Sequence, residues 1–423
     1  MAKQAAPSTR RVLAASLIGT SIEFYDFYVY TTAAALVFGE LFFPQASKAM
    51  GQLASLATIG VAFVARPLGS LFFGHFGDRI GRKSTLVASL LTMGISTTLV
   101  ALLPTYIQAG WIAALLLCVL RFGQGFGLGG EWGGAALLAV ENAPEGKRAR
   151  FGMFPQMGAP VGFIAANGLF LILGAWLTPA QFHDWGWRIP FALSALLVVV
   201  GLWIRLRLTE TPEFAAALAE APPPTVPFGE LVSRHFGALA VGTVGAIACF
   251  ALYYVATAFA LNYGTKTLAY SAKDFLTVQL GAILFMAVGI YLSAWLSDRH
   301  FDERRVLMAG CVGTMAAGLL MAPMMLSGSL FQVFLFLSLS LTLMGFVYGP
   351  LGAWLPSLFP ARVRYTGVSM AFNVAGVLGG GLTPMVATAL SKNYGLMAVG
   401  LYSGGAALIS LVALALFGKA RTA

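Results

Sequence analysis

Three carboxylates and one guanidinium stand inside stretches that are otherwise almost wholly apolar: Glu23, Asp26, Glu131 and Arg121. An ionisable group among apolar neighbours is costly, so each is a candidate for chemistry by default. Of the 16 Asp and Glu residues, only these three fall clearly within long apolar runs, and all three lie in the first half of the chain. A proton carried through this molecule on a carboxylate is therefore expected to be carried in the first half.

Glu23 and Asp26 are three residues apart and share one helix face. At 1.5 Å per residue they sit roughly 17–21 Å along their apolar run, near the middle of a bilayer or just beyond it. Two carboxylates this close in a medium of low dielectric do not both ionise readily, so one is suited to load and release a proton. The plainer alternative is a hydrogen-bonded structural carboxylate. Arg121 has no carboxylate on its own run and must find its partner on another helix or on a bound anion. A guanidinium holds a carboxylate bidentately, which makes substrate-anion binding the functional reading and an ion pair with Asp26 or Glu23 the structural one. Glu131 lies within Gly129-Gly130-Glu131-Trp132-Gly133-Gly134 and serves either as a proton site or in a close helix contact. Among the neutral polar residues on apolar runs, Tyr25, Gln156 and Asn373 are the expected cavity-lining partners of a substrate.

These groups need a scaffold, and composition specifies which kind. Hydrophobic residues make up 58% of the 423-residue chain and charged residues 10%, against roughly 25% charged in soluble domains; the mean hydropathy is +0.82. The apolar residues fall into runs long enough to cross a bilayer as helices, over 12–38, 53–76, 84–104, 109–140, 152–177, 188–207, 238–262, 275–297, 305–327, 330–355, 366–391 and 395–417. The long polar stretch 208–237, with Thr209-Glu210-Thr211-Pro212-Glu213-Phe214 and Pro222-Pro223-Pro224, reads as a linker. The expected organisation is an all-α membrane protein: a six-helix bundle over 1–207, a cytoplasmic linker over 208–237 and a second six-helix bundle over 238–423.

Charge sets the orientation. The ends of the chain, the linker and the loops after the second, fourth, eighth and tenth runs hold most of the Lys and Arg, while the other side has Lys48, Arg188, Lys266, Lys273 and Lys392. By the positive-inside rule both termini face the cytoplasm. The net charge of +10 is spread between apolar runs rather than gathered in a patch, which argues against nucleic acid. Four scattered histidines offer no metal-ligand spacing, and Cys118, Cys249 and Cys311 sit in apolar runs as packing residues.

The halves repeat each other. Asp78-Arg79 with Arg82-Lys83 after the second run is matched by Asp298-Arg299 with Arg304-Arg305 after the eighth. Pro144 with Lys147, Arg148 and Arg150 is matched by Pro360 with Arg362 and Arg364. Internal duplication with a site between the repeats is characteristic of secondary transporters.

Gly74 to Lys83 resembles the G-x-x-x-D-R-x-G-R-K loop of the major facilitator superfamily. Further segments resemble its metabolite:proton symporters, which carry shikimate, citrate, 2-oxoglutarate, proline or betaine: Ile22 to Phe27, Ala65-Arg66-Pro67-Leu68-Gly69, Arg121 to Gly127, Gly129 to Gly134, Thr209 to Phe214 and Phe359 to Gly367. His300 to Glu303 depart from the family pattern by lengthening the second loop. The resemblance implies the major facilitator fold and a loop charge lock of Asp78, Arg79, Arg82 and Lys83 that favours the outward-open state, with Arg66 contributing to it.

The combined expectation is a proton-coupled symporter of a small organic acid, monomeric and set in the cell inner membrane. Asp26, Glu23 and Glu131 are expected to couple protons, and Arg121, Tyr25, Gln156 and Asn373 to meet substrate. The only coupling species is the proton, with no other cofactor. A zwitterionic osmolyte such as betaine or proline is the alternative cargo. A membrane enzyme or receptor without transport is disfavoured, because the sequence has no nucleophile–base pair or metal cluster.

Overall fold

A computed structural model describes residues 9–45, 48–206 and 226–417. Twelve helices among them are long and apolar enough to cross a membrane. In the first half these are α1 (Val12–Phe42), α2 (Ala57–Arg79), α3 (Arg82–Val100), α4 (Trp111–Val140), α5 (Arg148–Trp176) and α6 (Gly186–Leu206). In the second half they are α7 (Pro227–Lys266), α8 (Ala272–Arg299), α9 (Glu303–Met325), α10 (Leu330–Ser357), α11 (Ala361–Tyr394) and α12 (Leu396–Phe417). Helices satisfy their own backbone hydrogen bonds, which is why an apolar chain of this kind folds as spans with short connections.

The expected linker over 208–237 lies outside the described residues up to 225, including its Thr209–Phe214 and Pro222–Pro224 segments. Its remainder is helical. Pro227 occupies the first turn of α7, where a missing N–H costs nothing, and the backbone kinks at His235 (φ −126°, ψ 20°). Lys3, Arg207, Lys419 and Arg421 likewise lie outside the described residues.

The duplication read from sequence is carried into the packing. α1 packs on α5 as α7 packs on α11, α2 on α4 as α8 on α10, and α3 on α6 as α9 on α12. The halves meet through two further equivalent pairs, α2 with α11 and α8 with α5. Glycine makes the tightest seams possible. A Cβ on Gly129 of α4 would overlap the Arg66 carbonyl of α2, and one on Gly345 of α10 would overlap the Ile290 nitrogen of α8. α1, α7 and α11 each contain a π-helical turn, over Ala34–Phe38, Val255–Phe259 and Val377–Gly381. Such turns widen a helix locally and free it to bend.

Candidate functional site

Between the halves lies a cavity of ≈ 40 Å³, lined from the first half by Glu23, Phe24, Phe27, Tyr28 and Arg66 and from the second by Cys249, Phe250, Tyr254, Tyr348 and Phe372 among others. That is room on the scale of a few waters. The lining is aromatic, with one cation and one carboxylate. Glu23 is buried and its Oε2 has no hydrogen-bond partner among the described residues. Arg66 is 7% exposed, its guanidinium carbon 4.8 Å from the ring of Phe27 and 4.7 Å from that of Phe63. Stacking of this kind holds a guanidinium in place without neutralising it.

This corrects the placement of Arg66. It is twelve residues before Asp78 on α2, which is roughly 18 Å along the axis, and it faces the cavity rather than the charge lock. The polar residues expected at the substrate divide differently. Asn373 does line the cavity, but its Nδ2 is committed to Ser70 Oγ (2.9 Å), Gly129 O (3.1 Å) and Ser369 O (2.9 Å), tying α11 to α2 and α4. Gln156 is outside the lining. It accepts from Trp132 Nε1 of its own half at 2.8 Å and donates to Tyr348 O of the other half at 2.9 Å, so both ends of its amide are used. Tyr25 points away from the cavity and donates to Pro190 O of α6 at 2.9 Å.

Arg121 is also outside the cavity. It is fully buried within the first half, its guanidinium 4.0 Å from the ring of Tyr30 and 5.0 Å from that of Phe27, and it donates to Gln124 Oε1. Nε and Nη2 have no partner among the described residues. Gln124 then donates to the backbone oxygen of Asp26 at 3.0 Å and to Thr97 Oγ1 at 2.8 Å. Asp26 accepts from Ser194 Oγ at 2.5 Å, while its Oδ2 is without a partner among the described residues. Asp26 and Arg121 are thus linked through Gln124 and do not form the direct ion pair considered from sequence.

Glu131 is held in a buried ion pair with Arg205 of α6, which also donates to Leu86 O at 2.6 Å; Ser89 Oγ donates to the same carboxylate at 3.0 Å. By sequence Arg205 falls near the end of the apolar run 188–207. In the structure it is 3% exposed, next to Gly19 of α1, where any Cβ would overlap it. A carboxylate neutralised this way is a structural tie between α4 and α6 and is poorly disposed to carry a proton.

The charge lock is not in a loop. Asp78 and Arg79 end α2, and Arg82 and Lys83 open α3, with the turn made at Gly81 (φ 118°), a conformation open essentially to glycine. Asp78 accepts from the backbone N–H of Tyr365 (3.0 Å) and Thr366 (2.9 Å) and from Thr366 Oγ1 (2.7 Å), all at the start of α11 in the other half. An anion there satisfies orphan N–H groups and the helix dipole together. Arg82 holds Asp78 at 3.0 Å and reaches Glu141 at 3.5 Å, and Glu141 meets Arg364 of the second half at 3.3 Å. Arg79 is exposed and contacts His75 of its own helix at 3.1 Å; Lys83 is half-buried in the first turn of α3.

The second half repeats the device despite its altered loop. Asp298 of α8 accepts from the backbone N–H of Ala149 and Arg150, both at 3.0 Å, and from Arg150 Nε at 2.9 Å, at the start of α5. Glu141 and Arg150 had no site role in the sequence reading; Asp298 was marked only as the repeat partner of Asp78. On the opposite side the cavity is closed by the Tyr28–Tyr253 hydroxyl contact and the Phe63–Tyr254 ring contact at 5.7 Å.

A site between two repeated bundles, with separable contacts above and below it, belongs to an alternating-access carrier rather than to an enzyme. The chain belongs to the Major Facilitator Superfamily, which it matches over residues 16–384. It is 48% identical to the inner membrane metabolite transport protein YhjE of Escherichia coli K12 over 418 residues, covering 98% of this chain and 95% of that protein. It is 40% identical to the shikimate transporter of the same strain over 384 residues (90% and 87%) and 31% identical to its proline/betaine transporter over 393 residues (91% and 78%). The fold is shared with the proton:xylose symporter XylE bound to 6-bromo-6-deoxy-D-glucose, with a TM-score of 0.79 at 16% identity over 97% of this chain and 96% of that one.

Proposed function

We propose that the protein is a proton-coupled symporter that imports a small organic acid across the cell inner membrane by alternating access. The observation that carries this is the cavity between the halves, whose lining holds one guanidinium, Arg66, and one carboxylate, Glu23. Asp26 supplies a second carboxylate just outside it, and Arg121 acts on Asp26 through Gln124. Both termini face the cytoplasm, in keeping with the Lys and Arg distribution, so the locks at Asp78 and Asp298 form the cytoplasmic gate. The names of the shikimate and metabolite relatives point the same way.

A betaine-like zwitterion is the second reading, favoured by Phe250, Tyr254 and Phe372 around the cavity, which suit an alkylammonium. Uptake of labelled organic acids and betaines into proteoliposomes under an imposed pH gradient tests the function. Accumulation of an acid that collapses with the gradient, accompanied by acidification of the lumen, is the expected result. Accumulation independent of the gradient refutes proton coupling.

A further inference from the structure

We propose that Arg66 is the residue that holds the cargo's carboxylate and that Glu23 limits the cargo to one carboxylate with no second anionic group. This deepens the symporter reading and rests on it.

Arg66 is more than nine-tenths buried, lines the cavity, and has a side chain with no hydrogen bond or ion pair among the described residues. Other buried guanidiniums have protein acceptors: Arg205 has Glu131, Arg82 has Asp78, and Arg121 has Gln124. Two rings, Phe27 and Phe63, set edge to face 6.2 Å apart, hold its guanidinium carbon at 4.8 and 4.7 Å without offering it a hydrogen-bond acceptor. A guanidinium whose donors no protein acceptor takes up is suited to a carboxylate, which it holds through two parallel hydrogen bonds. Pro67, next in sequence, lies inside α2 and removes one backbone donor beside the site.

Glu23 sets the upper limit on charge. The lining has one cation and one carboxylate. A bound monocarboxylate satisfies Arg66. A second carboxylate on the cargo would find no second cation in the lining and would stand against the Glu23 carboxylate. The rest of the lining, including the Tyr348 hydroxyl, which is without a partner among the described residues, suits a compact ring bearing hydroxyls or a small alkylammonium.

The test is ligand binding to the purified, detergent-solubilised full chain, followed by tryptophan fluorescence, with shikimate, glycine betaine, 2-oxoglutarate and citrate as probes. Shikimate or glycine betaine is expected to bind at least ~10-fold more tightly than the di- and tricarboxylate, and which of the two wins separates the hydroxylated acid from the zwitterion. Arg66→Gln is expected to lose ~10–100-fold in affinity for the preferred probe, the value of a charge-assisted bidentate contact. Arg66→Lys keeps the charge and loses the fork, so it should fold normally and bind ~10-fold more weakly. Glu23→Gln should narrow the gap between the preferred probe and 2-oxoglutarate. Preference for citrate or 2-oxoglutarate, binding of none of the four, wild-type affinity in both Arg66 variants, or an unchanged gap in Glu23→Gln overturns the inference. Proton-driven uptake of citrate would leave symport standing and overturn this charge limit alone. Selective, Arg66-dependent binding without proton-driven uptake would do the reverse.

Discussion

The carboxylate of Asp78 accepts the backbone N–H of Tyr365 at 3.0 Å, so the last turn of α2 in one half caps the first turn of α11 in the other. Asp298 does the same for Ala149 at the start of α5. Two carboxylates from equivalent places in the duplicated chain therefore hold both crossing points on the face that carries the chain ends. Each cap can break as a unit when the halves rock apart, because it joins an anion to groups that water can satisfy as well.

Asp78→Asn removes the charge from three accepted hydrogen bonds and from Arg82. Charged hydrogen bonds are worth about 1.5–3 kcal/mol each, so losing even one such increment moves the balance between gate-closed and gate-open forms by ~10-fold or more. A longer distance between spin labels on the ends of α2 and α11, measured by double electron–electron resonance, is the expected outcome. An unchanged distance distribution would show that Asp78 does not hold the gate.

Asp26→Asn keeps the shape and the Ser194 contact while removing the ionisable group. Accumulation driven by a pH gradient should fall ~100-fold or more, the lower end of what a positioned acid–base group contributes to a proton-dependent step. Exchange of labelled for unlabelled cargo at equal concentration should persist, since it needs no net proton movement. Undiminished gradient-driven accumulation would remove Asp26 from the coupling step.

Glu131 and Arg205 form a buried pair, and breaking one partner of such a pair costs about 3–5 kcal/mol because the other charge is left stranded. Glu131→Gln and Arg205→Met should each lower the melting temperature of the purified protein sharply. The double variant should recover most of the loss. Additive losses in the double variant would contradict the pairing.

Much of this molecule is legible from residue order. Apolar run length forces spanning helices, since a backbone in lipid has no other donors or acceptors, and eleven of the twelve expected spans begin within a few residues of the observed helices. α7 starts earlier, at Pro227, because a polar, Pro-flanked stretch can be helical outside the apolar core. The repeated Asp-Arg signature was visible as well, and it marks two carboxylates that cap helices across the interface.

Side-chain direction was not legible. A run that is apolar all round carries no periodic signal for which face meets a cavity, a neighbouring helix or lipid. Arg121 and Arg66 are both buried arginines on first-half helices, yet one faces Gln124 inside its own bundle and the other faces the cavity. Arg205 lies at the basic end of α6, and only the packing of α6 against α4 shows it to be the partner of Glu131. Sequence alone determined the helices, their number, their duplication and the short set of ionisable residues worth weighing, because hydropathy and charge act locally along the chain. The tertiary structure decided which of those residues share a space, because that depends on helix rotation and on the close approaches glycine permits at seams such as Gly129. It is this packing that turns Arg66 and Glu23 toward one cavity and leaves Arg121 behind the wall of it.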